Sequence, residues 1–248
     1  MATMTKLLGA AAAIAMFAGA AQAADFAAPD SPSWTGGYIG VVGGYGWGDS
    51  DFSADVVDSA DNTTVLGSLD DSIDVEGFLL GGQVGYDFDL GNGFVLGAAG
   101  DMSWSFMDGD LCVDSDTCVP AEADDSYASA EINWLATVRA RAGFTTGSLL
   151  IYGTGGLAIA DAETTVTFVD GALDPSRSDS KTHFGWVIGA GAEFKMTENM
   201  SLGAEYLHVD LGSEDYTFRG SGLAGDTDIL SEADLTIDIV RASLNLRF

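Results

Sequence analysis

From Gly37 to Phe248 the apolar residues fall in short blocks that alternate with polar or small residues at a period of two, the spacing of a strand with two unlike faces. The blocks are Tyr38–Trp47, Val75–Asp89, Phe94–Met107, Tyr127–Phe144, Leu149–Ala160, His183–Lys195, Met200–Leu211 and Leu235–Phe248. Tight turns join some of them: LGNG at Leu90–Gly93, TTGS at Thr145–Ser148 and MTEN at Met196–Asn199. The other connections are long, Gly48–Asp74, Met107–Tyr127, Asp161–Thr182 and Gly212–Asp234. The pattern predicts eight strands joined alternately by long and short connections, with no second domain and no linker.

The two faces differ in kind. In the second strand Phe78, Leu80, Val84, Tyr86 and Phe88 oppose Gly77, Leu79, Gly81, Gln83, Gly85 and Asp87. In the third, Phe94, Leu96, Met102, Trp104 and Phe106 oppose Val95, Gly97, Asp101, Ser103 and Ser105. The fourth sets Ile132, Trp134, Ala136, Val138, Ala140 and Phe144 against Glu131, Asn133, Leu135, Thr137, Arg139 and Arg141. The sixth sets Phe184, Trp186, Ile188 and Phe194 against Glu193 and Lys195, and the last sets Val240, Leu244, Leu246 and Phe248 against Arg241, Asn245 and Arg247. The fifth, LLIYGTGGLAIA, is apolar or small on both faces and gives no facing.

A soluble barrel or sandwich, the competing fold, hides its apolar face and shows a solvated polar one. Here the apolar face ends in large aromatics, and the polar face mixes Gly, Ser, Thr and Asn with isolated opposite charges, as a narrow packed interior does. That inversion predicts an all-β fold, an eight-stranded antiparallel transmembrane outer-membrane β-barrel with both ends periplasmic. The same topology sends Trp47, Trp104, Trp134 and Trp186 to the outer rim and Phe88, Phe94, Phe144, Phe194 and Phe248 to the inner rim, two interfacial belts.

Composition and the N-terminus agree with that placement. Met1–Ala23 carries Lys6, an apolar run from Leu7 to Ala20 and the small-residue ending Ala21-Gln22-Ala23, which reads as a secretory signal peptide. Residues 24–36 then form a periplasmic segment and 37–248 the barrel. No apolar run after the leader is long enough for a transmembrane helix. With 9 Lys and Arg against 38 Asp and Glu, a nucleic-acid partner is disfavoured by Coulomb repulsion. The four long connections hold 26 of the 38 carboxylates, so the cell-facing surface is expected to be strongly acidic. These loops read as a hydrated, low-sticking surface; the alternative is weak divalent-cation contacts that bridge their carboxylates to each other or to lipopolysaccharide, although the oxygen-ligand spacing of a calcium loop is absent. Cys112 and Cys118, in DLCVDSDTC, are expected to form a disulfide in an oxidising compartment, the alternatives being free thiols or a weak metal site.

Arg139 and Arg141 are the costly feature, two scarce cations set two apart and so on one face. That face points them into an interior shared with Asp87, Asp101, Glu131, Glu193, Glu205, Arg241 and Arg247. Unpaired charges in so narrow a space are expensive, so the residues are expected to form an internal ion-pair network; Arg suits it because its planar fork bridges carboxylates. The alternative is a channel lined by these groups, although side chains can largely fill eight strands. Catalysis finds little support. Glu205 and His208, three apart, face opposite ways, no nucleophile motif is present, and GTGG at Gly153–Gly156 lacks the context of a phosphate loop. No cofactor or metal site is expected.

WTGGYIGVVGGYGWG at Trp34–Gly48, ATVRARAGF at Ala136–Phe144 with LLIYGTGGLA at Leu149–Ala158, and ASLNLRF at Ala242–Phe248 resemble the small outer-membrane β-barrel proteins of alphaproteobacteria, the Omp25/RopB-like group. The resemblance covers the mature chain apart from its long connections. It implies insertion by the barrel assembly machinery, with Leu244, Leu246 and Phe248 as the terminal assembly signal. It also implies a structural, surface-exposed role among relatives described loosely as porins. Haem binding, associated with some of them, is not carried over to a chain with 2 histidines. The expected function is a non-enzymatic envelope protein, monomeric and in contact with outer-membrane lipids and lipopolysaccharide. The rivals are a narrow porin for small solutes or ions, and adhesion or ligand binding through the loops.

Overall fold

A computed structural model describes residues 33–58, 65–112, 127–167, 177–219 and 227–248. The strands are β1 (Gly36–Asp58), β2 (Val65–Asp89), β3 (Phe94–Cys112), β4 (Tyr127–Thr146), β5 (Leu149–Thr167), β6 (Arg177–Lys195), β7 (Met200–Arg219) and β8 (Thr227–Arg247). Each pairs antiparallel with its sequence neighbours, and β1 pairs with β8 to close the barrel. The seam ends in reciprocal hydrogen bonds, Gly37 N to Phe248 O at 3.1 Å and Phe248 N to Gly37 O at 3.0 Å. Closure leaves no free sheet edge, the condition for backbone to cross a bilayer as strand.

Following paired residues around the wall gives the stagger. The path from Trp47 runs through Asp238, His208, Ile188, Gly155, Ala140, Ala98 and Tyr86 and returns to β1 at Gly37, ten residues lower. Strands in such a barrel tilt by roughly 40°. On β3–β4 the pair Phe94–Phe144 lies ten residues below the pair Trp104–Trp134. At a rise of ~3.3 Å per residue and that tilt, the two levels are about 25 Å apart, the height of the apolar band of outer-membrane barrels. Between them the exterior is apolar, with Ile39, Val41, Val84, Leu96, Met102, Val138, Ile151, Leu157 and Ile188 exposed.

The short turns follow from their residues. Gly91, Asn92 and Gly93 all take positive φ (82°, 54° and 81°), a conformation that glycine and asparagine tolerate best, and Gly147 does the same between β4 and β5. On the opposite side the strands run much farther than the hydrophobic blocks indicated. β1 continues to Asp58 and β2 begins at Val65, within the segment Gly48–Asp74 read as loop; strand also enters the other three long connections, with β3 reaching Cys112, β5 reaching Thr167 opposite a β6 that begins at Arg177, and β7 reaching Arg219 opposite a β8 that begins at Thr227. Stretches such as DFSADVVD, where Phe52, Ala54 and Val56 alternate with Asp51, Ser53 and Asp55, are acidic yet keep the period of a strand, and their backbone groups go on pairing above the ladder below them.

β4 corrects one facing. Ile132 pairs with Ala162 and Trp134 with Asp161, so Asn133 is an extra residue, a β-bulge. The bulge reverses alternation above it: Ile132, expected outside, is buried inside, and Glu131, expected inside, is exposed. β5, unassigned from sequence, buries Leu150, Tyr152, Thr154, Ala158 and Ala160 and exposes Ile151 and Leu157.

Candidate functional site

The interior is the chemically distinctive region, and it is filled in layers. Its midsection holds four arginines and four carboxylates in two tiers. In the lower tier Arg141 donates through Nε to Asp87 Oδ1 at 2.6 Å, pairs again with Asp87 through Nη2, and donates through Nη1 to Glu193 Oε2 at 3.0 Å. Arg247 completes that tier, pairing with Asp87 and donating to Glu193 Oε1 at 2.6 Å. Ser201 and Asn245 donate to the same Glu193 oxygen at 2.6 and 3.3 Å. In the upper tier Arg139 reaches Asp101 Oδ2 and Glu205 Oε1, both at 2.8 Å, and Arg241 reaches Asp101 Oδ1 at 2.8 Å and Glu205 Oε2 at 2.7 Å. Thr137 adds a hydroxyl to Asp101 at 2.6 Å.

Each tier holds two positive and two negative groups, and every guanidinium bridges two carboxylates. A planar fork meets that geometry where an ammonium does not. Asp87 is fully buried, so its charge is tolerable only through these partners. Arg141 also lies over the rings of Tyr38 and Tyr152, 4.9 Å from each centroid. Small residues make the room. A methyl group on Gly97 would stand 2.2 Å from Asp87 Oδ1, and one on Gly85 would stand 2.3 Å from the Tyr38 ring.

Of the interior residues expected from sequence, the structure brings together Asp87, Asp101, Arg139, Arg141, Glu193, Glu205, Arg241 and Arg247. Glu131 stands apart, outside the wall above the Asn133 bulge. Cys118 and the side chain of Cys112 lie outside the described residues, as does the leader Met1–Ala23. Leu244, Leu246 and Phe248 all face outward, Phe248 being 81% exposed at the lower rim.

Sequence reasoning missed two layers. Above the upper tier the lumen is filled by aliphatic side chains, among them Leu79, Met107, Ile132, Leu135, Leu207, Val209, Ile237 and Ile239, all buried. The signal was present: Leu235, Ile237 and Ile239 share the parity of Arg241, and Leu207, Val209 and Leu211 share that of Glu205. Below the lower tier Trp34 enters from the segment ahead of β1 and has no exposed surface. Its Nε1 donates to Gly147 O at 3.2 Å, and its own carbonyl accepts from Arg247 at 3.1 Å. Lys195 and Arg247 lie over its ring at 4.7 and 4.8 Å, and Lys195 Nζ donates to Ser33 O at 2.5 Å. No spacing rule reaches Trp34, because it lies outside the strand pattern.

Among the described residues no group of His, Cys, Asp and Glu has the arrangement of a metal site. The eight tier groups neutralise one another, which suits them to holding strands together.

The profile of the outer membrane protein beta-barrel domain family matches residues 9–248. The chain is 38% identical over 245 residues to the 31 kDa outer-membrane immunogenic protein of Brucella melitensis biotype 1, covering 94% of this chain and 96% of that one. It is 31% identical over 193 residues to the 22 kDa outer membrane protein of Rhizobium leguminosarum bv. viciae, covering 76% and 71% of the two chains. Among solved structures, the outer membrane protein OprG from Pseudomonas aeruginosa aligns with a TM-score of 0.50 at 14% identity, over 89% of this chain and 99% of that one, a likeness of fold alone. An inverted, closed eight-stranded barrel, two aromatic belts and these matches lead to one assignment: the chain belongs to the outer membrane protein β-barrel family and resides in the bacterial outer membrane, crossing it repeatedly.

Proposed function

We propose that this protein is a non-enzymatic, closed structural barrel of the outer membrane, whose work is to anchor acidic extracellular hairpins in the envelope. The observation that carries the reading is the filled lumen: Trp34 below, two neutral ion tiers in the middle and an aliphatic layer above. A porin needs a continuous polar path, and a layer of buried Leu, Ile and Val across the bore interrupts it, because ions crossing such a layer lose their hydration without a replacement. A monomer inserted by the barrel assembly machinery, with Phe248 at the end of its signal, and surrounded by outer-membrane lipid and lipopolysaccharide belongs to the same reading.

Planar bilayer recording on the purified, folded barrel tests it. The expected record is flat at 100 mV and 1 M KCl. Reproducible unitary steps that change in size when Leu207 or Ile237 is replaced by Ser would overturn the structural reading in favour of transport.

A further inference from the structure

On the outward surface, within the upper aromatic belt, the apolar wall is interrupted where β7 meets β8. His208 Nδ1 lies 2.8 Å from Asp238 Oδ1, and the Tyr206 hydroxyl donates to the same oxygen at 2.7 Å. Trp47 stands directly across from Asp238 on β1, and the Trp186 ring lies 5.6 Å from the His208 imidazole on the other side. The side chains of His208 and Asp238 keep 36% and 29% of their surface. Both donors converge on Oδ1; among the described residues Oδ2 accepts no hydrogen bond.

A second observation concerns charge over the whole wall. The five described Lys and Arg side chains, Arg139, Arg141, Lys195, Arg241 and Arg247, are all buried in the lumen. At the level of the outer leaflet the described exterior therefore offers lipid headgroups carboxylates (Asp49, Glu76, Asp210 and Asp238) and aromatic faces. This surface repels a bare phosphate and attracts a cation.

We propose that Asp238, held by Tyr206 and His208, with Trp47 across the ladder and Trp186 beside His208, binds the ammonium group of a lipid headgroup in the outer leaflet. A carboxylate at a lipid boundary is costly unless its charge is met; the Tyr206 hydroxyl is neutral and His208 supplies a charge only when protonated, whereas an ammonium meets the carboxylate with a charge-assisted hydrogen bond to Oδ2. Trp47 and Trp186 add the attraction of aromatic faces for a cation, strongest where water is excluded. A divalent ion bridging to a lipid phosphate fits the site less well, because calcium and magnesium demand six or more oxygens and the cluster has one carboxylate oxygen that Tyr206 and His208 leave untaken.

The test titrates the folded barrel in maltoside micelles with phosphatidylethanolamine, its N-acetylated derivative or phosphatidylglycerol, and reads the first bound lipid by native mass spectrometry. Phosphatidylethanolamine is expected to bind about fivefold or more tightly than either lipid lacking the ammonium, with or without EDTA. Asp238→Asn is expected to bring the three lipids to parity, and Trp186→Ala to reduce the preference, while both variants keep the heat-modifiable gel mobility of a folded barrel. Equal binding by wild type overturns the proposal, as does a preference that survives in Asp238→Asn. A preference for phosphatidylglycerol that needs Mg²⁺ and disappears with EDTA also overturns it, in favour of a divalent bridge. Should Asp238→Asn not fold, the N-acetylated lipid on wild type decides alone.

Discussion

Below Thr137 the lumen is filled by arginines and carboxylates, and above it by Leu135, Ile132 and their aliphatic neighbours, although the same eight strands line both halves. The two fillings do different work. The aliphatic layer excludes water and gains burial energy, and it tolerates modest shifts of one strand against the next because one methyl group serves about as well as another. The ion tiers do not tolerate them. A slip of two residues keeps every side chain on its own face, so hydrophobic patterning does not oppose it, yet it would part Arg139 from Asp101 and Arg141 from Asp87. The lower half thus fixes the stagger and the upper half supplies the seal. Buried ion pairs confer specificity in some proteins and not in others, and substitutions in the two halves separate these cases for this barrel.

The largest effect is expected from Arg141→Leu, which leaves Asp87 and Glu193 sharing Arg247. Loss of about 3–5 kcal/mol should appear as a lower urea midpoint in micelles. Replacing the whole lower tier at once, with Asp87→Asn, Arg141→Met, Glu193→Gln and Arg247→Met, should recover most of that stability but broaden strand register, read as heterogeneous amide protection on β2 and β8. A recovered midpoint with uniform protection would deny the tier its role in register. Next comes the seal: Leu207→Ala should cost about 2–4 kcal/mol, as large-to-small changes in a packed interior do, without altering register.

Trp34→Ala should lower the urea midpoint and expose Lys195, read as faster modification by an amine-specific reagent. An unchanged labelling rate would show that Trp34 does not cover the lower mouth. The smallest effect is expected at Glu131. Glu131→Gln should leave the urea midpoint unchanged, whereas Glu193→Gln should lower it; equal shifts would contradict the outward placement given by the Asn133 bulge.

These residues also show where the sequence was legible. Parity alone put Arg139, Arg141, Arg241 and Arg247 inside, because alternation is strict wherever one face meets lipid. It did not say which carboxylate each arginine meets. That depends on the stagger around the barrel, a property of eight strands together that no single strand carries. Glu131 failed for the opposite reason, a single inserted residue with no turn signal to announce it. Trp34 is fixed by contacts to Gly147, Lys195 and Arg247, distant in sequence and unrelated by any period. The aliphatic layer was readable in DLTIDIVRA, but aromatics on the opposite face gave the stronger signal and drew the assignment of hydrophobic residues outward.

The origin of the charges carries one more consequence. All four tier arginines come from two strands, β4 and β8, while Asp87, Asp101, Glu193 and Glu205 come one each from β2, β3, β6 and β7. In a sheet still lacking its last strand the two tiers therefore hold four anions and two cations. Arrival of Arg241 and Arg247 brings the tiers to zero in the same movement that zips β8 to β1. Completion of this barrel is thus a neutralisation reaction, driven from within by a self-repelling interior that only the final strand can quiet.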